Sequence, residues 1–244
     1  MNIKRLASRT LSIISCTLVL STYSTLSQAI EAYQATYEAN IKNKVSFNGT
    51  LQRSLTKSAT GEWLFKDSVS SLFASIEESS QLKIVDNKVQ PQNYYYLRKV
   101  FGKKKKRDIN FNWSDNSAIN RDGTAIVLQK NTQSRLSFQL QLQIDLQKGL
   151  RGRFTYPVAK NASIDTMTFV EVATEVVKTP MGNINSIKIK LDRGANAKRE
   201  TFIWFSLEHD FVITQLQQTE PDGKSYSIVL SKLSWWLPQQ PKTS

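Results

Sequence analysis

The chain has 244 residues, with 33 Lys and Arg against 20 Asp and Glu, a formal charge of +13 and a pI near 9.8. Its single Cys and single His exclude a disulfide framework and a Cys/His zinc centre. The length suits one β-rich domain with a substantial core, stabilised by burial alone.

The N-terminus opens with Lys4, Arg5 and Arg9, continues through the apolar run Leu11–Leu26, and reaches Ser27-Gln28-Ala29. A positive head, a short apolar middle and a small-x-small exit make a secretory signal peptide over 1–29, cleaved after Ala29. The run is interrupted by Ser and Thr and falls short of the ~20 apolar residues of a membrane span. Ile13-Ile14-Ser15-Cys16 loosely matches a lipobox, so lipidation at Cys16 is the alternative. Arg9 lies too close to Cys16 to leave a full apolar region, however, which favours ordinary cleavage. The expected product is a periplasmic chain without cysteine, a single domain over 30–237 and a loose tail over 238–244.

Period-two alternation then dominates, interrupted by turn chemistry, and reads as antiparallel strands. ATG (59–61) and VDNK (85–88) are turn signals. The basic run Lys103, Lys104, Lys105, Lys106 and Arg107 sits between Gly102 and Asp108 and reads as a hairpin tip with its charges in water. The functional alternative is contact with an anionic membrane surface or envelope polymer, at about 1 kcal/mol per cation. Arg151, Arg153, Lys198 and Arg199 are further cations for that field. Nucleic acid is not expected, because an exported chain meets no genome and aromatics are not interleaved with the run.

In DINFNW, Ile109, Phe111 and Trp113 share a face. The stretch LSFQLQLQIDLQKG (136–149) alternates apolar residues with Gln, which favours a strand. Leu136, Leu140 and Ile144 also fit a helical row, with Asn131 or Thr132 as a cap and Gly149 as a stop. TMTFVEVATEVV, NSIKIKL, ETFIWFSL, FVITQLQQT and SYSIVLSKL follow as strands of an up-and-down meander, joined by TPMGN (179–183) and EPDG (220–223).

Catalytic signals are poor. His209 sits beside Asp210 in a turn, with no nucleophile elbow elsewhere. Glu77, Glu78, Asp115, Asp122, Glu171 and Glu175 are the carboxylates from which a glycosidase pair would have to come. Glu77 and Glu78 point to opposite faces of a strand, and Asp115 and Asp122 have turn character. No enzyme, metal or cofactor is expected.

These pieces, in this order, resemble the DUF 3108 family of bacterial exported proteins, whose domain has no assigned function. The resemblance is carried by IEESSQLKIVDNKVQPQNYYY (76–96), RDINFNW, LQLQIDLQKG, VKTPMGNINSIKIKLDR and TFIWFSLEHDFVITQLQQTEPDGKSYSIVLSKL. Asn112 stands where the family tends to have Asp. The resemblance implies a large curved antiparallel sheet forming an open or partly closed barrel, with at most one or two helices. It also implies a helix over 132–147, against the alternation. In shape the family is similar to periplasmic proteins such as lipoprotein carriers.

The expected function is therefore non-enzymatic binding or carrying of an apolar or amphipathic envelope component, such as a lipid. Trp113, Phe169, Trp204 and Phe205 are the candidate apolar face, although adjacent residues cannot share one side. Plain core packing is the other reading of each. The alternative function is a structural protein docking an envelope partner through its basic loops and sheet edge.

Overall fold

The computed structural model describes residues 30–42, 47–70 and 74–235. The expected signal peptide and the tail over 238–244 lie outside these residues. Fourteen strands form one antiparallel sheet. They are β1 (Tyr33–Lys42), β2 (Phe47–Lys57), β3 (Trp63–Ser70), β4 (Ala74–Val85), β5 (Lys88–Val100), β6 (Lys103–Asn112), β7 (Ser117–Asn120), β8 (Ala125–Val127), β9 (Arg153–Ala159), β10 (Ile164–Thr179), β11 (Gly182–Asp192), β12 (Glu200–Ser206), β13 (Ile213–Thr219) and β14 (Ser225–Trp235). Between β8 and β9 lies α1 (Ser137–Gln147), the one helix among the described residues.

Each strand pairs with its sequence neighbours, except that β8 and β9 do not pair with each other, and β14 pairs with β1 from Tyr33↔Trp235 to Lys42↔Ser225. The edges are β8 and β9, so the sheet curls almost into a barrel with its seam there. Bulges at Thr36/Tyr37, Gln81/Leu82, Glu171/Ala173 and Trp204/Phe205 add local bend and twist. Gln133 stitches the seam. Its backbone N–H donates to the Pro157 carbonyl at 2.8 Å and its carbonyl accepts from Ala159 N–H at 2.8 Å. Its side chain donates to the Val89 carbonyl on β5 at 2.8 Å.

The sequence turns fall where expected. Asp86 and Asn87 take φ of 49° and 62° between β4 and β5. Thr179 and Gly182 are the last residue of β10 and the first of β11. The basic run does not form a hairpin tip, in contrast to its sequence reading. Phe101 and Gly102, at φ 45° and 76°, make the turn, and Lys103–Arg107 begin β6 opposite Val100–Tyr96. Two left-handed residues suffice to reverse the chain, so the cations after Gly102 enter the ladder.

Ser137–Gln147 is helical, as the resemblance implies over 132–147 and the alternation does not, although the helix starts five residues later than implied. The helix lies inside the barrel, so it is buried on every side. Leu136, Leu140, Leu142 and Leu146 are 0% exposed, and Gln141, Gln143 and Asp145 are buried with them. An enclosed helix has no solvent face, and the amphipathic period is lost. The glutamines are satisfied by the wall instead. Gln141 accepts from Val89 N–H at 2.7 Å and donates to the Asn87 carbonyl at 3.1 Å. Gln143 and Gln147 both donate to the Asp210 carbonyl, at 2.9 and 3.1 Å.

The start of α1 also differs from expectation. Ser134 Oγ accepts from the N–H groups of Leu136 and Ser137, at 3.3 and 2.9 Å. Thr132 turns away to donate to the Gln129 carbonyl. Gly149, at φ 78°, stops the helix as expected, with its N–H on the Leu146 carbonyl.

Candidate functional site

In a meander, alternate turns share an end. The C-terminal ends of β1, β3, β5, β9, β11 and β13 therefore lie together at one end of the barrel, the mouth. Helix α1 runs from mid-barrel, where Gln139 meets Arg53, toward the other end, where Gln143 meets Asp210. Strand alternation aims Glu78, Tyr96 and Arg107 inward, in register across β4, β5 and β6. Glu78 Oε1 accepts from Tyr94 OH at 2.6 Å. Burial, followed by the charge of Asp67, pushes the Glu78 carboxyl above its usual range, although the Tyr94 hydrogen bond opposes this. The Arg107 guanidinium lies 5.7 Å from the Tyr96 ring centre, and its buried Nε has no hydrogen-bond partner among the described residues.

Below this row, Arg53 and Asp67 make a buried double hydrogen bond between β2 and β3, at 2.7 and 2.6 Å. A second Arg53 contact, to Gln139 Oε1 at 2.9 Å, holds the first turn of α1 in place. The space between that turn and β10–β14 is a cavity of about 540 Å³. One wall is apolar, with Phe138, Met167, Phe169, Leu191, Ile203 and Leu216. Phe138 stacks on Phe169 with ring centres 5.0 Å apart. Tyr226 closes the wall on β14.

The polar rim is biased toward cations. Its acids already have partners: Asp165 pairs with Lys160, and Asp192 with Arg153 at 3.2 Å. Arg199 meets Glu220 at 2.7 Å. Arg135 is exposed on the rim and makes no ion pair among the described residues. The pKa of Arg193 is lowered, chiefly by desolvation and then by the charge of Arg199. Arg135 and Arg193 thus present guanidinium groups to an apolar-walled space. This arrangement can hold an anionic head while the wall takes an apolar tail.

The four aromatic candidates separate. Phe169, fully buried, lines the cavity. Phe205 is buried in the barrel core. Trp204 faces out of the barrel, where its Nε1–H donates to Glu175 at 2.6 Å and Lys188 Nζ lies 5.0 Å from its ring centre. Trp113 follows β6, stacks at 6.4 Å on Phe111 and donates to the Pro91 carbonyl at 2.8 Å.

Of the cations, Lys198 and Arg199 belong to the β11–β12 connection at the mouth, with the basic hairpin. Arg151 sits at the far end of α1, donating to the Leu146 carbonyl at 3.0 Å. Glu77 points outward to Lys66 at 2.8 Å, opposite to Glu78. Asn112 organises the turn after β6, donating to Asp115 at 2.9 Å and accepting from Ser114 Oγ at 2.7 Å. His209 lies in the β12–β13 turn, at the end away from the mouth. Arg135, Arg53 and Asp67 carried no sequence signal as site residues. Only the fold brings β2, β3 and the start of α1 together.

Among the described residues no helix is long and apolar enough to cross a membrane, and no cluster of His, Cys, Asp and Glu could hold a metal. No curated protein matches the chain. Its fold is similar to a solved beta-barrel-like protein of the domain of unknown function DUF1849 from Brucella abortus. That match is 11% identical, covers 85% of this chain and 99% of the other, and has a TM-score of 0.54. A DUF1329 family protein from Desulfovibrio piger overlaps more loosely, at 7% identity, coverage of 88% and 89%, and a TM-score of 0.34. The model of the family described as protein of unknown function DUF3108 matches residues 30–230, from before β1 into β14, and the chain therefore belongs to the DUF3108 family.

Proposed function

We propose that this protein is an exported periplasmic carrier that binds an amphipathic envelope component with an anionic head, and that it acts by binding without turnover. The observation that carries this reading is the mouth cavity of about 540 Å³, apolar on one wall and edged by Arg135 and Arg193. That volume falls within the few hundred to ~1,000 Å³ typical of small-molecule sites. A purely apolar ligand would leave the rim cations facing it unmatched. A purely polar one would waste the wall of Phe169, Ile203 and Leu216. The rim carboxylates support binding over chemistry, because Asp165, Asp192 and Glu78 are each engaged by a neighbour.

The test is solvent extraction of protein purified from cells expressing the full chain, followed by negative-ion mass spectrometry. An anionic amphiphile should co-purify near one per protein. Ile203→Trp, which fills the cavity, should lose it. Arg135→Gln on the exposed rim should retain the fold and reduce retention. Extracts that contain no amphiphile, or equal amounts in wild type and both variants, would overturn the proposal.

A further inference from the structure

We infer that the β5–β6 hairpin is an anchor that seats the barrel mouth on an anionic lipid bilayer. Arg98, Lys99, Lys103, Lys104, Lys105, Lys106 and Arg107 are seven cations on one hairpin. The register sets like charges directly opposite one another, with Lys99 facing Lys104 and Arg98 facing Lys105. Such pairs weaken a ladder, so they are not there for folding. Among the described residues only Lys106 has an acidic partner, Asp108 at 3.8 Å, and Arg98, Lys99, Lys103, Lys104 and Lys105 have none within ion-pair distance.

The turn adds a second and different signal. Phe101 is 78% exposed at the tip, in the left-handed region at φ 45°. Gly or Asn suits that conformation, whereas a bulky aromatic does not. An aromatic tip flanked by cations has the chemistry of the bilayer interface. The ring enters the headgroup boundary and the long Lys and Arg stems reach lipid phosphates.

The hairpin also extends in the right direction. Its tip lies five residues beyond Tyr96, about 16 Å past the Glu78–Tyr96–Arg107 row. It stands at the same end as the cavity mouth, with Lys198 and Arg199 of the β11–β12 connection. A bilayer bound there would face the opening.

The experiment is sedimentation with vesicles of phosphatidylcholine alone or mixed with phosphatidylglycerol, at low and high salt, with long-chain polyphosphate as a soluble polyanion. Wild type should sediment only with the anionic vesicles, and less as salt rises. Lys103→Gln, Lys104→Gln and Lys105→Gln together should lower the partition coefficient on the order of a hundredfold, at roughly fivefold per charge. Phe101→Asn should keep the thermal midpoint, because Asn suits the turn, and still reduce partitioning several-fold. Ile203→Trp should sediment like wild type, which separates this inference from the cavity reading. Wild type that ignores anionic vesicles at low salt, binds neutral ones equally, or binds polyphosphate alone would overturn it, as would variants that sediment like wild type.

Discussion

Arg53 and Asp67 face each other across β2 and β3 inside the barrel, with Nε and a terminal nitrogen 2.7 and 2.6 Å from the two carboxylate oxygens. The guanidinium is also packed against aromatic rings, 5.8 Å from the Tyr37 centre and 4.9 Å from that of Phe65. It meets α1 through Gln139. The pair therefore links the wall to the helix that shapes the cavity. Its charges balance only while both are present.

Asp67→Ala should accordingly destabilise the protein by about 3–5 kcal/mol, because it strands a buried cation. The double variant Arg53→Met/Asp67→Leu should recover most of that loss, since the desolvation cost disappears with the charges. Urea unfolding of the three proteins checks both statements. A single variant as stable as wild type would mean that water reaches Arg53.

Glu78 predicts a pH dependence. Its folded carboxyl titrates above the usual 4.5 because burial disfavours the charge. The folded state thus holds that proton more tightly than the unfolded chain. The resulting stability is fully present below the ordinary carboxylate value and is lost as pH rises through the raised one. Glu78→Gln keeps an acceptor for Tyr94 and removes the titration. The variant should match wild type in acid and exceed it in thermal midpoint at alkaline pH, read from melts across about pH 4–8.

Gln141 tests the polar seating of the helix. It accepts from Val89 N–H and donates to the Asn87 carbonyl and to Asp145, the last at 2.9 Å. Gln141→Ala leaves the Val89 donor unsatisfied in a buried setting. The expected loss is about 1–3 kcal/mol by denaturant titration. Hydrogen exchange at the Val89 amide should rise with it.

His209 carries the claim that the protein binds without turnover. Its backbone N–H reaches Ser206 Oγ at 3.0 Å and its carbonyl accepts from Val212 N–H at 2.9 Å, so the turn is held by main chain. His209→Ala should change stability by no more than about 0.5 kcal/mol and leave amphiphile retention unchanged. Loss of function at full stability would instead indicate a catalytic histidine.

Strand identity was legible in the chain because side-chain alternation is a local property. Ile187, Ile189 and Leu191 repeat at period two, and all three are buried in β11. Turn chemistry was equally local at Asp86-Asn87 and Thr179–Gly182. Other features depended on residues far away in sequence. The 136–149 segment alternates like a strand, yet Ser137–Gln147 is helical because closure of the sheet provides a surrounding wall for its glutamines. Alternation puts Trp204 and Phe205 on opposite faces, but only the closed sheet decides that Phe205 joins the core and Trp204 turns out to Glu175. The basic run revealed its charge but not its position, since only the Phe101-Gly102 turn moves the cations into β6. Sequence determined which residues alternate, where the chain reverses and how much charge it carries. Tertiary structure alone decided which face points inward, what fills the barrel and which cations gather at its mouth, because those depend on the closure of β14 onto β1 and on contacts of α1 with strands far from it in sequence.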